Sequence, residues 1–197
     1  MGRRSDHTRA ELEVLFVDEG WRQMAEVGLA RFSARDVAKR IGYSIGTLYN
    51  VFHSYDGLIL AINARTLSLW ATDLIARQTC GGPDRIGNLV RGYFAFAAEH
   101  PRTWFSIYEH RMADDAPSPE WYQALVADIM SIAASEIAAA LPNAEVSSIR
   151  PLARSLVATV HGHCILTLNR TFDVTDENEL VDAALARVRE AIEAARR

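Results

Sequence analysis

Cysteine is scarce in this chain: Cys80 and Cys164 are the only two among 197 residues. Two thiols can neither build a disulfide framework nor supply a four-cysteine zinc site. No uninterrupted apolar run approaches the roughly 20 residues of a bilayer span. The opening Met-Gly-Arg-Arg-Ser-Asp-His has no hydrophobic stretch after its arginines, unlike a secretory signal. The expected compartment is the cytoplasm. Alternating β-branched or aromatic runs bounded by turns are missing as well, which argues against sheet. No glycine-rich phosphate loop, Ser/His/Asp arrangement or paired-carboxylate signature stands out, so neither catalysis nor a cofactor is expected. A basic excess is also lacking, since the net charge is −4. Residues 1–56 nevertheless balance eight Arg/Lys against eight Asp/Glu, which leaves the whole negative excess after them. An anion-binding surface therefore belongs in the first quarter of the chain.

What is present reads as helix throughout. Apolar residues make up 49% and charged residues 23%, which fits a globular domain rather than a disordered chain. The first helix is expected over about 8–27, where Leu12, Phe16, Trp21, Met24 and Val27 recur on one face and Gly28 stops the run. Ser33, Ser44 and Ser54 each sit where an N-cap belongs. They open two short helices and then a longer one reaching about 79. After the break Cys80-Gly81-Gly82-Pro83 come helices at about 84–99, 101–112, 118–140, 147–170 and 176–195. Pro101 and Pro119 suit first-turn positions, and the last break falls at 173–176. The expected fold is all-α with about nine helices, divided into residues 1–54 and 55–197.

Residues 33–53 hold two short helices, the first ended by Gly42 and the second capped by Ser44, which is a helix-turn-helix. The second can enter a DNA major groove, with Leu48, Val51 and Phe52 holding it from behind. Ser33, Val37, Ala38, Gly42, Ser44, Gly46, Thr47, Leu48, Tyr49, Phe52 and Leu58 fall in a pattern that resembles the DNA-binding domain of the TetR family of transcriptional regulators. The resemblance covers about residues 10–60. It implies phosphate contacts from Tyr49, phosphate or base contacts from Thr47, and operator reading by Tyr43 and Ile45. Ser33, Arg35, Ser44, Gly46, Asn50 and His53 complete the expected DNA surface. The family usually has lysine where Tyr55 stands, and tyrosine brings no charge there; Arg3 and Arg4 are candidates to compensate from a flexible arm. No Arg, Lys, Gln or Glu lies in 44–51, so bidentate guanine reading from inside the helix is excluded.

The last two helices carry apolar stripes, Leu152, Leu156 and Val160 on one and Val181, Leu185 and Val188 on the other. The resemblance implies that they pair with a second copy as a four-helix bundle. Val160-His161-Gly162 also resembles the Trp-His-Gly signature of one C-terminal subgroup. Tyr93, Trp104, Phe105, Tyr108, Trp121 and His161 are the candidate lining of a pocket for a small, largely apolar effector. The expected function is a homodimeric repressor that binds a palindromic operator on double-stranded DNA and is released by that effector. The alternatives are a helical adaptor, or a metal-responsive regulator using His161, His163 and Cys164. The spacing i, i+2 points histidines to different sides of a helix, so no metal site is expected.

Overall fold

The computed structural model describes residues 7–171 and 177–197. The expected arm residues Arg3 and Arg4, and the break at 173–176, lie outside the described residues. Among the described residues there are nine α-helices, two short 3-10 turns and no strand, as the all-α reading requires. They are α1 (Arg9–Val27), α2 (Ala34–Arg40), α3 (Ile45–Phe52), α4 (Tyr55–Cys80), α5 (Arg85–Glu99), α6 (Pro101–Glu109), α7 (Glu120–Ala140), α8 (Val146–Leu168) and α9 (Glu177–Ala195). Local chemistry sets several ends. Thr8 and Glu11 close a reciprocal capping box on α1. Ser33 and Ser44 accept from the backbone N–H groups of Asp36 and Thr47 at the starts of α2 and α3. Pro101 occupies the first turn of α6, whereas Pro119 stands just before α7.

The chain forms two compact units. The first joins the described part of Met1–Ser68 to His100–Tyr122; the second joins Leu69–Glu99 to Gln123–Arg197. Helix α4 contributes to both, so the packed units do not divide at the expected 54/55 boundary. In the first unit Phe16, Met24, Val37, Leu48, Leu58, Ile59 and Ile62 are fully enclosed. Helix α6 is held to α4 by a reciprocal pair: Ser106 Oγ donates to Asn63 Oδ1 at 2.8 Å, and Asn63 Nδ2 donates to the Ser106 carbonyl at 3.2 Å. Trp21 Nε1 donates to Thr66 Oγ1 at 3.1 Å, which fixes α1 against α4.

In the second unit Asp84 receives Arg91 at 2.6 Å and Arg189 at 3.0 Å, which ties α9 to the start of α5. The Arg91 hydrogen bond is the main reason the Asp84 carboxyl is held below its ordinary range. Two helices, α4 and α7, are long and apolar enough by length and composition to cross a membrane. Neither is an uninterrupted apolar run: Arg65, Asp73 and Arg77 lie in α4, and Asp128 and Glu136 in α7. Half of the α4 window is buried within the protein.

Candidate nucleic-acid interface

Helix α3 carries its apolar side inward. Leu48 and Val51 are buried and Phe52 packs beside them. That leaves Ser44, Gly46, Tyr49, Asn50 and His53 exposed. Tyr49 is 43% exposed. Its hydroxyl and the Asn50 amide make no hydrogen bond within the described residues, so both are available to DNA. Thr47 is more constrained: its hydroxyl lies 3.0 Å from Ser44 Oγ, which also accepts the Thr47 N–H. A Cβ on Gly46 would meet only Ser44 Oγ, at 3.6 Å. The protomer thus has no steric use for this glycine, although it costs about 1 kcal/mol of helix propensity relative to alanine.

Two expected readers sit differently. Tyr43 and Ile45 are half-buried against the core of the first unit. The Tyr43 ring lies 6.2 Å from that of Phe16, and its hydroxyl is 2.6 Å from His7 Nδ1. Tyr55 opens α4 with its ring edge-on to Phe32 at 6.2 Å. Partial burial pushes its phenol above the ordinary value, so it supplies no charge in either direction near neutrality.

Ion pairs account for part of the neutral charge balance of the first quarter. Arg22 pairs with Glu19, Arg40 with Glu19 and Glu26, and Arg65 with Asp18. These acids are consumed by arginines of the scaffold. Arg31, Arg35 and Lys39 remain exposed with no carboxylate partner among the described residues. Arg35 and Lys39, four apart on α2, share one helix face. Sequence reasoning missed His7 and Arg9. Arg9 Nη2 donates to the Val51 carbonyl at 3.0 Å and lies 3.1 Å from His53 Nε2. That partnership spans more than forty residues, and no local pattern announces it.

The expected effector residues divide between the two units. Trp104, Phe105, Tyr108 and Trp121 belong to the first, where Trp104 is fully buried and Trp121 is 51% exposed. Tyr93 and His161 come together in the second: the Tyr93 hydroxyl is 2.7 Å from His161 Nδ1, and Trp70 meets the Tyr93 ring edge-on at 5.4 Å. Tyr93 and Trp70 line an apolar cavity of about 50 Å³ with no charged residue in its wall. Leu74, Val90, Ile129, Met130 and Ile137 also line it. The sequence could not single these out, because aliphatic residues on helix faces look alike whether they border a void or fill a core.

The stripes on α8 and α9 turn inward. Leu156, Val160, Leu185 and Val188 are buried in the protomer, and Leu156, Val160 and Val188 line the cavity. This corrects the expectation that these four side chains face a second copy; Leu152 and Val181 are half-buried. His163 Nδ1 faces the Thr159 carbonyl at 2.9 Å while His161 faces Tyr93, and burial pushes the Cys164 thiol up to about 12. These three groups do not converge. Among the described residues no three His, Cys, Asp or Glu side chains gather as a metal site.

Comparison with known proteins places this geometry. Residues 16–62 match the family model of bacterial regulatory proteins of the tetR family. Residues 86–188, more than half the chain, match the tetracyclin repressor-like C-terminal domain. No curated protein matches. Among solved structures, a protein of unknown function from Rhodococcus sp. RHA1 superposes with TM-score 0.76 at 17% identity, covering 100% of both chains. A tetR-family transcriptional regulator from Streptomyces coelicolor gives 0.68 at 18%, over 98% of this chain and 84% of that one. The multidrug binding protein EbrR complexed with imidazole gives 0.63 at 22%, over 93% and 96%. At these identities the superpositions speak to fold, and the two family models speak to descent. With a helix-turn-helix displaying unpaired polar groups and a separate helical C-terminal unit, the chain belongs to the TetR family of transcriptional regulators.

Proposed function

We propose that the protein is a cytoplasmic repressor that binds a palindromic operator as a homodimer and leaves it when a small, largely apolar molecule enters the second unit. The observation that carries this reading is the polar inventory of α3. Its outward side holds an uncommitted phenol, an uncommitted amide and a bare stretch of backbone at Gly46, and its inward side is fully packed. Such a helix suits contact with phosphates and base edges by hydroxyl, amide and apolar groups, with DNA shape adding the rest.

The cavity supports the effector half of the reading. Its wall holds no charge, and Tyr93 with His161 offers one oriented polar pair beside it. Burial keeps the His161 imidazole neutral near pH 7. At about 50 Å³ the cavity is smaller than the roughly 150 Å³ of an engineered apolar void that takes up benzene. An effector that parts the walls on entry would favour a second conformation, which is the differential affinity that release from DNA requires.

Selection from a random duplex pool tests the regulator. The protein should enrich one palindromic sequence, and Tyr49→Phe should bind it roughly 2–10-fold more weakly with unchanged thermal stability. A pool with no enriched sequence sinks the regulator and favours the adaptor.

A further inference from the structure

The last turn of α3 presents a problem for a helix that must lie against DNA. A helix C-terminus carries unsatisfied carbonyls and the negative end of the macrodipole, both repulsive to phosphate. In this family the start of the next helix usually brings lysine, but here Tyr55 stands in its place. The structure supplies a cation from another direction. Arg9, the first residue of α1, donates through Nη2 to the Val51 carbonyl at 3.0 Å and so covers one of those last carbonyls. The same nitrogen lies 3.1 Å from His53 Nε2.

A guanidinium only donates, so His53 must accept at Nε2 and carry its proton on Nδ1. His53 is held in place as well: it ends α3 at φ 66°, with its N–H donating to the Tyr49 carbonyl at 2.8 Å. Both side chains are exposed. Arg9 has no carboxylate partner among the described residues. The nearest acid in sequence, Glu11, is turned back onto the Thr8 N–H and hydroxyl at 2.6 and 2.9 Å, so it does not quench the guanidinium.

We propose that Arg9 and His53 form a phosphate-binding site at the C-terminal end of the recognition helix. The free guanidinium N–H groups hold the oxygens of one backbone phosphate, and the His53 Nδ1–H, on the side of the ring turned away from Arg9, donates to the DNA backbone next to it. Arg9 thereby does from α1 what a lysine at the position of Tyr55 would do. This rests on the DNA-binding reading above and adds the charge that the reading leaves unassigned. Because a phosphate contact carries no sequence information, the site must act on any duplex.

The test is binding to a short mixed-sequence duplex between about 50 and 200 mM salt. Arg9→Ala should weaken binding at every salt concentration and lower the log–log salt slope by about 0.9 per bound protomer. Arg9→Lys keeps the charge and should keep the wild-type slope. His53→Gly, which suits the positive φ and deletes the ring, should weaken binding by roughly 2–5-fold without changing the slope, because it removes a neutral donor. Arg22→Ala, whose arginine is paired to Glu19, should match wild type.

A wild-type slope in Arg9→Ala overturns the site. So does an Arg9→Lys protein as impaired as Arg9→Ala, which would leave Arg9 only as a helix cap. If Arg9→Ala loses its helical circular dichroism, the slope of Arg9→Lys and the affinity of His53→Gly decide in its place. Wild-type protein with no salt-dependent affinity for any duplex would instead remove the DNA-binding reading itself.

Discussion

Two histidines are buried far enough to be kept neutral, and they give the protein a pH dependence of predictable sign. His161 is held below its ordinary 6.5 by burial. His110 is held below it mainly by burial, with Asp56 at 3.4 Å pulling the other way. Between the lowered folded values and 6.5 the unfolded chain binds more protons than the folded one, so acid favours unfolding. The associated stability is complete above about pH 6.5 and is lost as pH falls toward the folded values. The denaturant midpoint should therefore drop between pH 7 and pH 5, and His161→Gln with His110→Gln should flatten that drop. An equal slope in the double variant would place the acid sensitivity elsewhere. At this scale the sequence was informative where a residue's role is local. Tyr49 and Asn50 stand outward and unpaired, as the helical period demands. Tyr43 does not, because Phe16 of α1 and His7 just before that helix reach it, and Ile45 is half-buried against the core of the first unit. Arg9 was invisible because its partners lie in another helix.

Among the elements, the elbow between α3 and α4 is a tight joint. Ser54 Oγ accepts the Gly57 N–H at 2.9 Å, and a Cβ on Gly57 would stand 2.3 Å from the Phe52 carbonyl oxygen. Backbone, not a flexible side-chain tip, would have to give way. Gly57→Ala should cost about 1–3 kcal/mol in urea unfolding, in the range of other overpacking changes. Gly46→Ala is the opposite case, because its Cβ has room. It should stabilise the isolated protein by about 0.5–1 kcal/mol through helix propensity, yet weaken operator binding by blocking close approach. A Gly46→Ala protein that binds DNA as wild type would show that the bare backbone faces nothing. Helix ends were legible to within a few residues, since Thr8, Ser33, Ser44 and Gly28 act within one turn. The grouping of helices was not. The Asn63–Ser106 pair that binds α6 to α4 joins positions forty-three apart, and neither residue type advertises it.

At the scale of the whole molecule, inward-turned stripes move the proposed dimer seam to the other side of α8. Leu156→Glu can no longer separate protomers cleanly, because Leu156 lies in the cavity wall of its own protomer and the charge would unfold it. The exposed row of the same helix is Arg154, Ser155, Ala158 and Gly162, with Ile165 and Leu166 half-buried beyond. A Cβ on Gly162 would meet nothing within 4 Å, so the protomer gains nothing from a glycine in mid-helix. Ala158 and Gly162, one turn apart, leave a shallow place where a second helix can come close. The sequence already shows Ala153, Ala158 and Gly162 as small residues that permit close approach; it does not show that the apolar stripes beside them turn inward. Gly162→Arg should therefore yield a folded protein whose self-association is weakened by about 2 kcal/mol or more. Light scattering would report a monomer, circular dichroism an intact helix content, and operator affinity should fall with the loss of the second half-site. Leu156→Glu should lose helix content instead. If Gly162→Arg remains dimeric at the same concentration, α8 does not cross its mate at this row and the seam lies on another face.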